Sequence, residues 1–517
     1  MKKRILAILM TLCLLTGLLQ VGAVAAGDVE YSGERSEKIV FDGVTTTAIL
    51  NNLTIDDPKG ESIFDGAVSA IDICNGADVT LILAGENVLQ GDTNKPVIWV
   101  EAGSTLTIEG SGSLEVYGDA TASNGAAGIG GGYNENAFGD IIINGGTVIV
   151  HGVGGGAGIG GGYMIGSGTQ TGNITINGGF VQAFGGEIGA STGAGLGSGE
   201  NANFNGTITI NGGVVYAVGG DSGTVSIGAG GRGIGDPSNH GFFSTGVNGN
   251  AVIVAPNGIG ANQGFADWDA IFCSYNSDET TAAVESDGTV ILNDNNATIE
   301  VWGDPILDYD LTVASATTLS IKANDRTKQP VSLTMDAGST LTNNGEIELS
   351  GTNSSSDTSY LILKGDVDQT RGSGTLDVAA PAAVQLPLTE ELVTITPASP
   401  QTYTGKVQSP DVTVRLELWG YEQDFTENVD YTLAKPVDPI KNAGTYSFQL
   451  EAAHSGNLLS GEVELSYEIK PADLTVTMPQ SWTVWRASHP DGLPFAPSLS
   501  SSIGPEYIQR EIGNDGT

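Results

Sequence analysis

Four aspartates between positions 294 and 310 carry the side chains best suited to holding a metal ion. Asp294 lies in the run NDNN, and Asp304, Asp308 and Asp310 follow within one short stretch. Oxygen ligands of this kind suit Ca²⁺, whereas the four histidines show no metal-ligand spacing. We therefore predict that any bound metal is a structural Ca²⁺ held by these aspartates, and no other cofactor is indicated. The alternative is that they are solvated surface acids.

A second candidate site is a partly aromatic strip built from three similar segments. Its members are Ile149, His151, Phe180, Gln182, Phe184 and Tyr216. Aromatic rings can stack on sugars while polar neighbours fix orientation, so these residues predict a glycan-binding surface. Two other interpretations stay open. β-Propensity alone favours such residues, and the interruption at 257–286, a predicted loop with Trp268, Phe272 and Tyr275, can cover the strip.

A polysaccharide-cleaving enzyme is the rival hypothesis, because pectin-degrading lyases and hydrolases also use β-helical folds. A hydrolase needs clustered carboxylates, and the one adjacent aspartate pair, Asp56 and Asp57, lies in DDPKGE, which is typical of a turn. A lyase needs a basic residue over a calcium cluster, and basic residues are scarce in the repeats. The sequence identifies no catalytic residue, so we expect a protein that is not an enzyme.

The strip is positioned by a unit that is written three times. The copies begin GDIIINGGTVIVHG at Gly139, GNITINGGFVQAFG at Gly172 and GTITINGGVVYAVG at Gly206. A glycine run around one aliphatic residue accompanies each copy, as in AGIGGGY. A fixed period of this length marks a repeat architecture. Three β-type pieces per unit predict one coil of a right-handed, three-sided parallel β-helix.

Period-two alternation assigns each residue of the unit to the inside or the outside of the coil. The predicted inward columns are Ile141, Ile174 and Ile208; Ile143, Ile176 and Ile210; Val148, Val181 and Val215; Val150, Ala183 and Ala217; and, in the glycine runs, Ile129, Ile159, Leu196 and Ile234. Asn144, Asn177 and Asn211 occupy the turn, where amides of successive coils can bond to each other. The predicted outward columns after this turn are Thr147, Phe180 and Val214; Ile149, Gln182 and Tyr216; and His151, Phe184 and Val218.

Residues 1–26 have the pattern of an export signal. Lys2, Lys3 and Arg4 form a charged end, residues 5–21 are apolar, and AVA at 23–25 suits a signal peptidase. An uncleaved membrane anchor is the alternative. No later stretch is apolar enough to span a bilayer. We therefore expect an extracellular chain without membrane insertion after cleavage.

The amino-acid composition limits the classes of partner that the chain is expected to bind. With 20 Lys and Arg against 60 Asp and Glu, the formal charge of −40 argues against nucleic acid. Glycine is unusually frequent, with 76 residues, and clusters where a coiled chain needs tight corners. Cys74 and Cys273 are far apart in sequence, which favours two buried thiols over a disulfide. The length predicts more than one domain, and we expect a monomer.

Three segments resemble a known family: VTLILAGENVLQG, AGSTLTIEGSGSLEVYG and the recurring AGIGGG with GxITINGG. They are similar to secreted glycine-rich parallel β-helix proteins of anaerobic Gram-positive bacteria, described as carbohydrate-binding-domain proteins. The resemblance covers residues 38–380 and implies binding of acidic plant polysaccharide, sometimes with Ca²⁺. We assign 27–380 to the β-helix and expect a secreted or cell-surface, non-catalytic protein that binds a plant or host glycan. A structural adhesin stalk remains a further alternative.

The character of the chain changes after a linker at 381–387. Residues 388–471 alternate as β-sandwich strands do. TYTGKVQSPDVTV, NAGTYSFQL and SYEIKPADLTV resemble MBG-type immunoglobulin-like modules of bacterial surface proteins, which implies a spacer or adhesive arm. Residues 472–517 are interpreted as the start of a further module or a truncated tail.

Overall fold

The structure is a computed structural model that describes most of the chain between residues 29 and 473. The described ranges are 29–59, 68–91, 94–118, 125–166, 168–188, 191–221, 224–231, 244–247, 251–260, 269–274, 282–285, 288–293, 298–322, 331–351, 358–365, 370–453 and 458–473. The predicted signal peptide and nearly all of the predicted tail lie outside them. Within these ranges no helix has the length and hydropathy needed to cross a bilayer.

The chain is all-β, and the prediction of a parallel β-helix is confirmed. Across the described ranges the only helical element is the 3₁₀ turn Glu390–Leu392. The chain divides into two compact units. The first comprises Met1–Val384 and Trp419–Tyr421, and the second comprises Gln385–Leu418 and Glu422–Thr517.

The first unit is a solenoid whose early coils have three strands each. Face 1 consists of the first part of Thr45–Lys59 and of Asp78–Ala84, Thr105–Gly110, Ala137–Ile143, Gly168–Ile176, Thr207–Ile210 and Ser244–Val247. The long strand Thr45–Lys59 continues onto face 2, where Thr54 and Ile55 pair with Glu86–Gln90. Face 2 consists of Glu86–Gln90, Ser113–Tyr117, Thr147–His151, Phe180–Phe184, Val214–Val218, Ala251–Ala255 and Ala270–Ser274. Face 3 consists of Ile39–Asp42, Ile71–Cys74, Ile98–Val100, Ile129–Gly130, Ile159–Gly160, Leu196–Gly197 and Ile227–Gly228.

Three smaller elements complete these coils. Val29–Glu37 pairs in parallel with Thr45–Lys59 at the start of the solenoid. Ala202–Phe204 pairs with the beginning of Gly168–Ile176, and Glu187–Ile188 forms a short antiparallel ladder with Ser191–Thr192. Thr45–Lys59 runs through Asp56 and Asp57, so the turn predicted there is wrong.

The inward columns on faces 1 and 2 follow from side-chain alternation, and their prediction is confirmed. Ile143, Ile176 and Ile210 stand in register on consecutive coils, and Ile176 is fully buried while its neighbour Thr175 is half-buried. Burial of one face of every strand against the others supplies the solenoid with a continuous apolar core, which no single coil could form.

In the coils from Ile129–Gly130 onward, face 3 is built from glycine because its backbone passes very close to the next coil. Gly130, Gly160, Gly197 and Gly228 stand in one column with φ of 132°, 137°, 134° and 133°. A Cβ on Gly160 would lie 1.8 Å from the carbonyl oxygen of Gly197. Each coil therefore inserts one apolar side chain from this face, namely Ile129, Ile159 and Leu196, as predicted.

The fourth residue of that column differs from the prediction. Leu196 is in register with Ile227, which is 1 % exposed, and not with the predicted Ile234. Gly228 follows Ile227 with the positive φ that this column requires. Ile234 lies outside the described residues.

The turn between faces 1 and 2 is stabilised by a ladder of amides, as predicted. Asn177 Nδ2 donates to Asn144 Oδ1 at 2.8 Å, and Asn211 Nδ2 donates to Asn177 Oδ1 at 2.7 Å. Each bond joins neighbouring coils. The ladder therefore holds the coil register at the corner nearest the predicted glycan strip.

The coil changes direction after Ala270–Ser274, within the predicted loop at 257–286. That segment is a face 2 strand with Phe272 buried, so the loop prediction is wrong for it. Trp268 and Tyr275 lie outside the described residues. Ala270–Ser274 pairs antiparallel with Thr298–Trp302, and the later coils continue in the reversed sense.

The later coils again cycle through three sets of strands. One set is Ala282–Val284, Val290–Leu292, Leu311–Val313, Leu341–Asn343 and Thr370–Arg371. The next is Thr298–Trp302, Thr318–Lys322, Glu346–Ser350 and Thr375–Ala379. The last includes Ile306–Leu307, Val331–Met335 and Ser359–Leu363.

Because the chain reverses direction here, the side of the sheet that faces outward in the early coils faces inward in the later coils. Ile271 and Cys273 point outward from the early coils, and they oppose Val301 and Ile299. Opposed residues in a ladder share one side of the sheet, and Ile299 leads into the buried column of the later coils through Leu319. The side chains that point outward from the early coils at this end of face 2 therefore pack into the core of the later coils. Phe272 and Trp302 stack at 4.2 Å between centroids on the opposite side.

The second unit contains two sheets, one antiparallel and one mixed. One sheet is Val393–Thr396, Asp411–Leu418 and Tyr421–Phe425. The other is Gln401–Thr402, Glu462–Lys470, Gly444–Ala452 and Tyr431–Ala434. Ala383–Pro387 pairs in parallel with Leu459–Ser460. Leu416, Phe448 and Tyr467 are buried.

Candidate functional site

The outward side of four consecutive face 2 strands forms a continuous surface, named the face 2 strip. Its columns are Glu86, Ser113, Thr147 and Phe180; Val88, Glu115, Ile149 and Gln182; and Gln90, Tyr117, His151 and Phe184. Glu86 and Gln90 are exposed and the others are half-buried. At the usual strand spacing the four strands span about 14 Å, enough for a short oligosaccharide.

Three rings of the strip form an aromatic ladder: Tyr117, His151 and Phe184. The Tyr117 and His151 centroids are 5.4 Å apart with planes 14° from parallel. The His151 and Phe184 centroids are 4.6 Å apart with planes 8° from parallel. Because the coil spacing holds each ring against the next, the ladder is pre-organised and offers a ligand ring edges rather than a row of free faces.

Tyr117 begins the ladder and was not among the predicted site residues. Gln90 precedes it in the column, so the neighbouring strand on that side places no aromatic residue against the ring. The signal was in the sequence: SLEVY at 113–117 aligns with TVIVH at 147–151, which places Tyr117 beside His151. This strand precedes Gly139, where the first of the three repeated units begins, so the repeats alone do not include Tyr117.

Tyr216 belongs to the predicted site, but the structure removes it from the accessible surface. It is in register with Gln182 and points outward, and its ring is 5.7 Å from that of Phe184 with planes tilted by 57°. Tyr216 is nevertheless 5 % exposed and Val214 is 1 % exposed. Both lie where the outer side of face 2 becomes the core of the later coils, next to Ala282–Val284. The accessible site residues of the prediction are Ile149, His151, Phe180, Gln182 and Phe184.

Glu115 gives the strip a carboxyl group in a partly apolar setting. Val88 and Ile149 flank it on the neighbouring strands. Burial, reinforced by the negative charge of Glu86, raises the pKa of Glu115 above its ordinary value. The carboxylate is thus poorly hydrated and suited to accept hydrogen bonds from a ligand.

His151 is neutral at neutral pH because burial lowers the pKa of its imidazole. Protonation favours the unfolded chain, since the native side chain binds the proton less readily. We predict that the free energy of unfolding falls as the pH drops below about 6.5, the ordinary histidine value, and continues to fall through the lowered native pKa. Urea unfolding of the parent and of His151→Phe at about pH 7.5 and about pH 5.5 checks this. An equal pH dependence in both proteins would contradict it.

The predicted calcium ligands do not converge in the described chain. Asp304 Oδ1 accepts from Ser332 Oγ at 2.9 Å, and Asp310 Oδ1 accepts from the Thr340 backbone N–H at 2.6 Å. Asp308 is exposed, and Asp294 lies outside the described residues. Among the residues described, no group of three or more His, Cys, Asp or Glu side chains is arranged to hold a metal ion. Asp304 and Asp310 each accept a hydrogen bond from a neighbouring coil, and a Ca²⁺ site that includes Asp294 stays a prediction.

Cys74 and Cys273, the two cysteines of the described chain, form no disulfide, as predicted. Cys273 is fully buried and Cys74 is half-buried, so the prediction of two buried thiols holds for Cys273 alone. Burial and the nearby Asp42 raise the pKa of the Cys74 thiol, which keeps it protonated and unreactive.

A second aromatic cluster lies at the loops after face 3, away from the strip, and was not predicted. Tyr133 and Tyr163 stack at 5.7 Å, and their signal was the repeated AGIGGGY motif. Trp99 Nε1 donates to Glu135 Oε2 at 3.1 Å. Lys95 Nζ lies 4.2 Å from the Trp99 ring centroid and 3.7 Å from Glu135 Oε1. Its ammonium group is therefore engaged on this side of the solenoid.

The face 2 strip combines rings, aliphatic side chains, amides and carboxylates on one rigid surface. That composition can bind a polyhydroxylated chain through ring contacts and hydrogen bonds. No protein-family model, curated protein or solved structure matches the chain.

Proposed function

We propose that the chain is a secreted or cell-surface protein of Gram-positive type that binds polysaccharide without cleaving it. The carrying observation is the aromatic ladder Tyr117, His151 and Phe184, held outward on consecutive coils. Half-exposed ring edges are costly to hydrate, and they can contact the apolar C–H groups that sugars present. Gln90, Thr147 and Gln182 supply the polar groups that orient a ligand.

The remaining parts of the proposal rest on sequence. The N-terminal signal pattern supports export, and the resemblance to glycine-rich β-helix proteins supports carbohydrate binding. The resemblance of residues 388–471 to MBG-type immunoglobulin-like modules supports a spacer or adhesive arm. An immunoglobulin-like β-sandwich is therefore proposed for the second unit.

Replacing both outer rings of the ladder, Tyr117→Ser with Phe184→Ser, is expected to weaken polysaccharide binding about tenfold or more, which is about 1.4 kcal/mol. The reason is loss of the ring surface while the buried columns stay intact. Retention in affinity gel electrophoresis over a panel of plant and host glycans measures it. The matched control is Tyr133→Ser with Tyr163→Ser, an equally stacked pair away from the strip.

Three outcomes would contradict this proposal. Unchanged binding by a folded ladder variant would move the site off the strip, and loss in the Tyr133 and Tyr163 control alone would move it to the second cluster. Absence of binding by the parent over the whole panel would favour the structural stalk instead.

A glycoside hydrolase is the second candidate function, and one observation favours it. Glu86 and Glu115 lie on neighbouring strands of the strip, two positions apart in register, and the pKa of Glu115 is raised by burial and then by Glu86. A pair of carboxyl groups, one of them with a raised pKa, beside a sugar-binding surface is the arrangement that glycoside hydrolases use. Release of reducing ends from a bound polysaccharide, abolished in Glu115→Gln, would support hydrolysis over binding alone.

A further inference from the structure

We infer that the face 2 strip selects an uncharged polysaccharide and disfavours polymers rich in uronic acid. This inference rests on the proposed glycan-binding function and names its ligand class. It departs from the acidic plant polysaccharide that the family resemblance implies, and the charges around the strip are the reason.

Cations are scarce on the whole stretch of solenoid that carries the strip. Lys95 is the only Lys or Arg between residues 68 and 231. Its ammonium group lies against Trp99 and Glu135 at the loops after face 3. The outward positions of the four strip strands include Glu86 and Glu115 and no Lys or Arg. A ligand carboxylate would therefore meet negative charge on this surface.

Local desolvation strengthens the repulsion. Glu115 stands between Val88 and Ile149 in its column, and it is half-buried. In a poorly hydrated setting two like charges repel more strongly than in bulk water. A neutral sugar avoids that penalty, since its hydroxyl groups can donate hydrogen bonds to the carboxylate. His151, the one titratable base of the strip, stays neutral because burial lowers its pKa.

The net charge of the whole chain also disfavours binding of acidic polymers. Its formal net charge of −40 opposes the approach of a polyanion over distances up to about a Debye length. This long-range part is screened by salt, whereas the contribution of Glu115 is short-range and persists. Discrimination is therefore expected to weaken with salt without vanishing.

The test uses pairs of polymers that differ in charge and share a backbone. Methyl-esterified homogalacturonan is compared with its de-esterified form, and hydroxyethyl cellulose with carboxymethyl cellulose. Affinity gel electrophoresis of the full chain is run at about 20 mM and about 150 mM salt with EDTA present. The variants are Glu115→Gln and, as matched control, Glu109→Gln, which removes one charge from face 1 of the same coil.

The parent is expected to bind the uncharged member of at least one pair at least tenfold more tightly than the charged member at low salt. Glu115→Gln should narrow that ratio severalfold, chiefly by raising the affinity for the charged member, because the amide carries no charge that repels a ligand carboxylate. Glu109→Gln should leave the ratio near that of the parent.

Three outcomes would overturn the inference. If the parent binds the charged polymers as tightly as the uncharged ones, or more tightly, the inference of charge selection is wrong, but the proposed glycan-binding function stands. An equal effect of Glu109→Gln and Glu115→Gln assigns the discrimination to net charge and not to the strip. Binding to no polymer of either pair, nor to any glycan of the wider panel, overturns the proposed function itself.

Discussion

Ile176→Asp is expected to unfold the solenoid. Ile176 is fully buried between Ile143 and Ile210 on the neighbouring coils. A carboxylate there has no partner and lies among aliphatic side chains, which costs about 3 to 5 kcal/mol or forces protonation. Such a loss is a large part of the total stability of about 5–15 kcal/mol that is typical of a protein. Thermal unfolding followed by circular dichroism measures it.

The matched control for this prediction is Thr175→Asp. Thr175 is the adjacent residue of the same strand and points to the outer surface, where a carboxylate stays hydrated. Its melting temperature should therefore remain within a few degrees of the parent. A melt of Ile176→Asp that matched the parent would contradict the inward assignment of the whole column.

Gly160→Ala is expected to destabilise the solenoid severely, although it adds a single methyl group. The new Cβ would lie 1.8 Å from the Gly197 carbonyl oxygen, and the backbone holds φ at 137°. Two coils must therefore separate, and the left-handed conformation adds strain of about 1 to 3 kcal/mol. We expect a loss of about 3 kcal/mol or more in the free energy of unfolding, measured by urea denaturation.

Gly166→Ala separates the two causes of that loss. Gly166 also has a positive φ, 77°, but a Cβ there would meet nothing within 4 Å. Its cost should reflect backbone strain alone, about 1 to 2 kcal/mol. Equal losses in the two variants would contradict the view that close coil-to-coil approach dictates glycine on face 3.

Alternation and turn chemistry in the sequence were enough to predict the early coils. Isoleucine and threonine alternate in ITI, so each such strand has one apolar side. The constant offset between copies then places Ile143, Ile176 and Ile210 next to one another on neighbouring coils. The asparagine after each strand predicted the amide ladder, because its side chain can both donate and accept. These inferences succeed since they depend on local periodicity that repeats in every coil.

The glycine runs were harder to assign, because a segment with one apolar residue has no alternation to read. RGIGD and VSIGAGG offer similar patterns, and the prediction chose Ile234 where the structure has Ile227. Register at this position is decided by which glycine can stand against Gly197, where an added Cβ would lie 1.8 Å from the carbonyl oxygen of Gly228. That choice depends on the neighbouring coil and not on the segment itself.

For the candidate site, too, alternation in the sequence predicts some features and the tertiary structure decides the others. Alternation within each strand was sufficient to identify the side chains of face 2 that point outward, including Phe180, Phe184 and Tyr216. The covering of Tyr216 follows from the fold, because the antiparallel pairing of Ala270–Ser274 with Thr298–Trp302 turns the outer side of the sheet into the next core. Likewise, the stacking of His151 on its two ring neighbours depends on coil spacing. Periodicity specifies the side of a strand a residue occupies, whereas what lies against that side is set by contacts between residues distant in sequence.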